Sequence, residues 1–270
     1  MAAVRQYSAG TDFISATKMN YFHYFLKQLT GWTMHPHIGV PAKQATRIAD
    51  MGTQTAIWAI DVAEDPKLQA DVHGFDVNSK FFPPAAWLPS NVTLHSQDIL
   101  SSFPEPLLGT FDVVHFRLFI MLDEEKIRSM VKNAIELLKP GGFVQWIEHD
   151  KTSLRPITVS ENQDTSSVEA LIEMEKHPFP NYNHAWVNSI APAMSAEGLD
   201  VLVEERIQTR KSLLTQMHEM HMLALIDVPP GLSEAIDTFK EKHFSTVAED
   251  CAKGVSSVDS FLTVIARKPM

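Results

Sequence analysis

Apolar and polar positions change rhythm along the chain. In the first forty residues, Phe13, Met19, Tyr21, Phe22, Phe25 and Leu26 fall at helical spacings until Pro36 and Pro41 break the pattern, which predicts an N-terminal helical lid over 1–45. From Thr46 onward, short apolar runs alternate with helical stretches. Such alternation predicts parallel strands joined by crossover helices. Seven strands are expected at 47–50, 71–76, 92–95, 111–116, 143–147, 199–206 and 261–266. Helices are expected from 57 to about 65, where Pro66 blocks continuation, and at 123–138, 168–176, 184–198 and 213–226, the second carrying Ile127, Val131, Ile135 and Leu138 on one stripe.

The expected fold is therefore α/β, a Rossmann-like seven-stranded and mostly parallel sheet with helices on both faces. Lys139-Pro140-Gly141-Gly142 reads as a helix terminator, because proline cannot continue a helix and glycine tolerates a left-handed turn. The polar, proline-marked stretch after Lys151 reads as a small helical cap inserted at about 151–195 within an α/β domain of 46–270.

Composition narrows the function classes. Forty-four per cent hydrophobic residues in 270 supply a core for one large domain, and the net charge of −10 comes without a basic run that could track a phosphate backbone. Nucleic acid is not an expected partner. One cysteine, Cys251, allows no internal disulfide and no cysteine-built metal site, which fits a reducing, cytoplasmic compartment. There is no secretory h-region in the first eleven residues and no apolar run long enough for a membrane span.

In an open α/β sheet, ligands bind beyond the carboxyl ends of the strands. Four segments qualify: Asp50-Met51-Gly52-Thr53-Gln54-Thr55-Ala56, the strand end at Asp76, Gln97-Asp98-Ile99, and His115-Phe116-Arg117. Glu148-His149-Asp150 adds three ionisable groups at a further strand end, where alternation sends neighbours to opposite faces. For His115 either a proton-transfer role or a packed position beneath the pocket is open, and for Glu148-His149-Asp150 either a general base or a polar loop entrance.

Gln216-Met217-His218-Glu219-Met220-His221-Met222 holds two histidines three residues apart, not the four-residue spacing with an adjacent glutamate that zinc proteases use, so no metal site is expected. Met217 and Met220 suit an adaptable apolar pocket wall, and Phe179, Tyr182 and Trp186 an aromatic one. Ordinary core packing is the alternative for each.

The order and spacing of these features resemble class I S-adenosylmethionine-dependent methyltransferases. Gly74-Phe75-Asp76, Phe82-Pro83-Pro84, Trp87-Leu88-Pro89, Gly109-Thr110-Phe111-Asp112-Val113-Val114-His115 and Leu138-Lys139-Pro140-Gly141-Gly142-Phe143 look like the fungal secondary-metabolism type, the group that includes gliotoxin-pathway N- and S-methyltransferases. The resemblance implies that Asp50 and Gly52 lie against the methionine portion of S-adenosylmethionine, Asp76 on its ribose, and Asp98 with Ile99 at its adenine. It further implies that Tyr21 and Trp32 belong to a closing lid, with Tyr21 reaching the cofactor and Trp32 the substrate pocket, and that His115, Arg117 and Glu148 face the pocket floor.

The glycine pattern departs from the family at Gln54 and Ala56. A positive φ at Gln54 would cost a residue with a side chain about 1–2 kcal/mol. Two enzyme classes stay open: methyl transfer to an O, N or S atom of a small natural product, or a methyltransferase-like protein that has lost that step and directs a cyclisation or pericyclic reaction. A non-catalytic partner subunit ranks last.

Overall fold

The computed structural model describes residues 13–39, 45–120, 122–179, 182 and 184–270. The expected lid therefore lies partly outside the described residues, as does Pro41. The chain divides into two compact units, one of residues 1–29, 150–184 and 208–260, the other of residues 30–149, 185–207 and 261–270.

The elements run α1 (Phe13–Thr30), β1 (Thr46–Met51), α2 (Ile57–Ala63), β2 (Ala70–Asp76), β3 (Val92–Ser96), β4 (Phe111–Arg117), α3 (Glu124–Leu137), β5 (Leu138–Thr158), α4 (Ser166–Lys176), α5 (Ile190–Ala196), β6 (Asp200–Gln208), α6 (Leu214–Asp227), α7 (Glu234–Lys242), α8 (Phe244–Asp250) and β7 (Val255–Arg267). One seven-stranded sheet has the order β3-β2-β1-β4-β5-β7-β6. The pairings β1 with β2, β1 with β4, β2 with β3 and β4 with β5 are all parallel. Strand order reverses between β1 and β4, which makes their carboxyl ends the switch point where such sheets bind ligands.

In the sheet-bearing unit, Ile48, Trp58, Ala59, Val62, Val72, Val113 and Ile265 form one buried cluster that seats α2 on the strands. Helix α3 forms because Ile127, Met130, Val131, Ala134 and Leu137 repeat at three- and four-residue spacings and are all buried. Its start is fixed by Asp123, whose carboxylate accepts the Lys126 N–H at 2.8 Å.

The helix stops at Leu137, and Leu138 is already extended (φ −73°, ψ 137°). The Lys139–Gly142 tetrad follows the helix end directly, as its reading as a terminator requires, and also forms the irregular start of β5. Register slips between Phe111 and Val113 where it pairs with β4, and Gly141 (φ 78°) donates to Lys268 O at 3.0 Å.

Three expectations are corrected. Strand β5 runs on to Thr158 instead of giving way to loop after Lys151, because Leu154 packs with Val168, Ile172 and Val255 in the helical unit and Val159 N donates to Gly254 O. The expected helix 184–198 is a short 3₁₀ turn at His184–Ser189 followed by α5, since Pro192 has no N–H to return to the carbonyl four residues back. Helices α7 and α8 fill a stretch to which no element was assigned, and β7 begins at Val255 instead of Phe261. Leu171, Met174, Met222, Leu225, Ile236, Phe239 and Val247 form the core of that helical unit. Among the described residues, no helix is long and apolar enough to cross a membrane.

Candidate active site

Asp50, at the carboxyl end of β1, is buried (4% exposed) and held on both oxygens. Thr53 Oγ1 donates to Oδ2 at 2.6 Å and His115 Nδ1 lies 2.8 Å from Oδ1. A carboxylate only accepts, so Nδ1 carries the proton. The His115 ring stacks flat on Trp58 of α2, with centroids 3.6 Å apart and planes 5° from parallel. Burial pushes the imidazole pKa down, against the opposing pull of Asp50, so the ring is neutral, and among the described residues its buried Nε2 has no hydrogen-bond partner.

The loop after β1 takes the left-handed path at three positions: Gly52 (φ 73°), Gln54 (φ 48°) and Ala56 (φ 59°). Only the first is glycine. The turn is fixed by Gly52 N and Thr53 N, which both donate to Phe75 O, and by Ala56 N, which donates to Thr53 O. Gln54 N donates to Asp76 Oδ2 at 3.0 Å. Gly74 on β2 is required by volume: a Cβ there would fall 2.8 Å from Thr53 Oγ1 and 2.7 Å from a Leu94 methyl.

Asp76 ends β2 with its other oxygen accepting Asn78 N at 2.8 Å. Burial raises its pKa, and the two backbone N–H groups oppose the shift. Asp98 is half-buried and caps its own turn through Leu100 N (3.0 Å) and Ser101 Oγ (3.3 Å), while the neighbouring Ile99 carbonyl accepts Asn133 Nδ2 at 2.7 Å. The β1 and β2 ends are thus joined by hydrogen bonds through Thr53 and Gln54.

Glu148, near the carboxyl end of the sheet portion of β5, is buried, and its Oε1 accepts both Trp146 Nε1 (2.7 Å) and Phe119 N (3.0 Å). Desolvation pushes its carboxyl up to about 8. Half-buried Arg117 is pushed down to about 10 by desolvation, opposed by Asp50, Asp61 and Glu148, and it stays charged at neutral pH. His149 points to the other face and stacks on Phe261 at 4.8 Å. Trp32 lies edge-on to His35 at 4.8 Å in a segment tied down by Gln145, which donates to Thr33 O and accepts from His35 N. Trp186 is buried in the 3₁₀ turn before α5.

The remaining expected residues belong to the helical unit. Tyr21 of α1 donates to Glu219 Oε2 of α6 at 2.6 Å. Lys18, one turn earlier, pairs with buried Asp227 at 2.5 Å. Met217 and Met220 are fully buried on α6. Phe179 and Tyr182 line a cleft of ≈ 860 Å³ together with Leu232, Ser233 and Thr238, a volume suited to a small ligand. His218 Nε2 donates to Val247 O at 2.7 Å, and its Nδ1 lies 3.3 Å from Ser256 Oγ.

Residue patterns alone did not reveal the parts played by Thr53, Trp58, Gln145 and Phe119. Trp58 reads only as an apolar helix position, and nothing in the spacing of Thr53 or Gln145 marks a partner far away in the chain.

Residues 48–142 match the family described as methyltransferase domain. The chain is 30% identical over 140 residues to N-methyltransferase tcpN of Claviceps purpurea, covering 51% of this chain and 50% of that one. It is 35% identical over 125 residues to methyltransferase grgD of a Penicillium species, covering 43% of each. The matches thus span about half the length of these relatives, or less. Among solved structures, the [4+2]-cyclase SpnF superposes with a TM-score of 0.50 at 17% identity, covering 95% of this chain and 96% of that one, a likeness of fold. Residues 48–142 thus carry a likeness to a methyltransferase domain, and fungal methyltransferases share it over about half of the chain or less.

Proposed function

We propose that the chain transfers a methyl group from S-adenosylmethionine to an O, N or S atom of a small natural product, with no nucleic acid or membrane involved and in the cytoplasm. The supporting observation is the left-handed backbone at Gln54 and Ala56. A turn held against about 1–2 kcal/mol at each such residue persists only where its surroundings over-determine it, and sites under functional constraint are where this occurs. Here the surroundings are the Asp76 carboxylate and the Phe75 carbonyl.

The residues present suit the cofactor. Each Asp76 oxygen accepts one backbone N–H and keeps a lone pair for a ribose hydroxyl. Asp98 and Ile99 offer a carboxylate and an apolar edge for adenine, and Asp50, Gly52 and charged Arg117 are assigned to the zwitterionic methionine portion. When bound, the cofactor supplies an electrophilic methyl group, and the chain's own part is to align the acceptor and exclude water. His115 and Glu148 act from behind the reacting atoms in this reading: His115 holds Asp50 in one orientation, and Glu148 holds the turn after β4. Trp32 and Trp186 are assigned to the substrate side. The names of the relatives, N-methyltransferase and methyltransferase, favour the same chemistry.

A second function, steering a cyclisation without methyl transfer, is favoured by the Gln54 side chain in the turn and by the name of the [4+2]-cyclase of like fold. Calorimetric titration separates the two. Saturable binding of S-adenosylmethionine and S-adenosylhomocysteine, weakened by Asp76→Ala, supports methyl transfer; no heat and no thermal shift with either ligand contradicts it.

A further inference from the structure

Gly52 lacks a side chain, and the space that a Cβ would take is occupied. A Cβ built there would fall 2.8 Å from Phe119 Cζ and 3.1 Å from Cε1, so the tip of an aromatic ring rests on the open side of this glycine. A ligand approaching the Gly52 backbone from that side meets the ring first.

The ring is held there by a second strained turn. Leu118, directly after β4, has φ 56°, a left-handed path that costs a residue with a side chain about 1–2 kcal/mol. Leu118 N donates to Ile147 O at 3.0 Å, and Phe119 N donates to Glu148 Oε1 at 3.0 Å. The same carboxyl oxygen takes the Trp146 indole N–H, so one atom ties the turn after β4 to β5. The Phe119 ring packs tilted on Phe116 (6.1 Å) and edge-on to Trp146 (6.3 Å). Strands β1 and β4 are neighbours in register, Met51 beside Phe116, so the strained turns at 52–56 and at 118 stand side by side at the switch point. Strain of this kind clusters where ligands are clamped.

We propose that Phe119 determines specificity at this site, its ring competing with the methionine portion of the cofactor for the face of Gly52, and that Glu148 is the positioning residue that seats the ring. The proposal rests on the assignment of residues 52–56 to the methionine portion. It follows that adenosyl compounds carrying that portion must displace the ring, whereas adenosine alone does not. The ring lowers the affinity of the first class by the fraction of protein in which it has swung clear.

The test uses the full chain, with wild type, Phe119→Ala, Glu148→Leu and Glu148→Gln compared by calorimetry against S-adenosylhomocysteine and adenosine. Selective glycine ¹⁵N labelling follows the Gly52 amide by NMR. Phe119→Ala is expected to tighten S-adenosylhomocysteine about fivefold or more while adenosine changes less than about twofold, and to move the Gly52 resonance as the ring current is lost. Glu148→Leu is expected to reproduce both effects, and Glu148→Gln, which keeps the acceptor oxygen, neither. Weaker S-adenosylhomocysteine binding in Phe119→Ala, or equal change for both ligands, overturns the competition. A Gly52 resonance unmoved by Glu148→Leu overturns the positioning role. If neither ligand binds wild type or variants, the cofactor assignment fails and the competition with it, while the Gly52 resonance still decides whether Glu148 seats the ring.

Discussion

The His115 Nδ1 proton points at Asp50 Oδ1 across 2.8 Å while the same ring lies flat against Trp58, so one buried imidazole joins the end of β1 to the first turn of α2. Its protonation is suppressed by burial, and the bond to Asp50 fixes the tautomer.

Replacing His115 with Phe keeps an aromatic plate against Trp58 but leaves Asp50 Oδ1 buried without a donor. The expected loss is about 1–3 kcal/mol in urea unfolding at pH 7. His115→Ala adds a cavity and is expected to lose about 2–4 kcal/mol. Because the folded-state pKa is lowered, wild type should lose stability as pH falls below the ordinary histidine value of about 6.5, and His115→Phe should lack that component. Equal pH profiles for the two proteins would contradict this.

Glu148 titrates in the opposite sense. With its carboxyl raised to about 8, the folded protein holds a proton that the unfolded chain has released above about pH 4.5. Stability should therefore fall as pH rises from 5 to 8, by at most about 1.4 kcal/mol per pH unit from this group. Glu148→Gln should remove that slope, which pH-resolved chemical unfolding measures directly.

Gln54 and Ala56 bear left-handed strain that glycine would relieve. Gln54→Gly is expected to stabilise the fold by about 1 kcal/mol, since relief of about 1–2 kcal/mol outweighs the 0.5–1 kcal/mol entropy cost of glycine, and a rise in the thermal midpoint would report it. Destabilisation would mean that the Gln54 side chain makes contacts worth more than the strain.

Gly74→Ala should act at a distance from any ligand atom. The added methyl meets Thr53 on the loop and Leu94 on β3, both under 3 Å, so a loss of about 1–3 kcal/mol is expected, together with weaker nucleotide binding as Thr53 is pushed off Asp50. Loss of stability without change in binding would separate Gly74 from the site.

The central strands β1, β2 and β4 were legible because each buries a short apolar run, and the strained turn was legible because a glycine pattern interrupted by Gln54 and Ala56 still has to make the same turn. The run of β5 past Lys151 was not legible, since Thr152, Ser153 and Arg155 look like loop until Leu154 is seen packed on Val168. Helices α7 and α8 offer few buried apolar positions, Ile236, Phe239 and Val247, too few to set a period. In the site, Asp50, Asp76 and His115 could be picked out as strand-end residues. Their cross-connections through Thr53, Gln54 N and Trp58 depend on backbone direction, which residue type does not encode.

Calorimetric titration of S-adenosylhomocysteine into wild type, Asp76→Asn and Asp76→Ala tests the cofactor assignment most directly. Saturable one-to-one binding is expected in wild type, weakened about tenfold or more in Asp76→Ala and less in Asp76→Asn, which keeps one acceptor oxygen for Gln54 N or the ribose. Binding that ignores all changes at Asp76, or no binding by a folded wild-type protein at millimolar ligand, would contradict it.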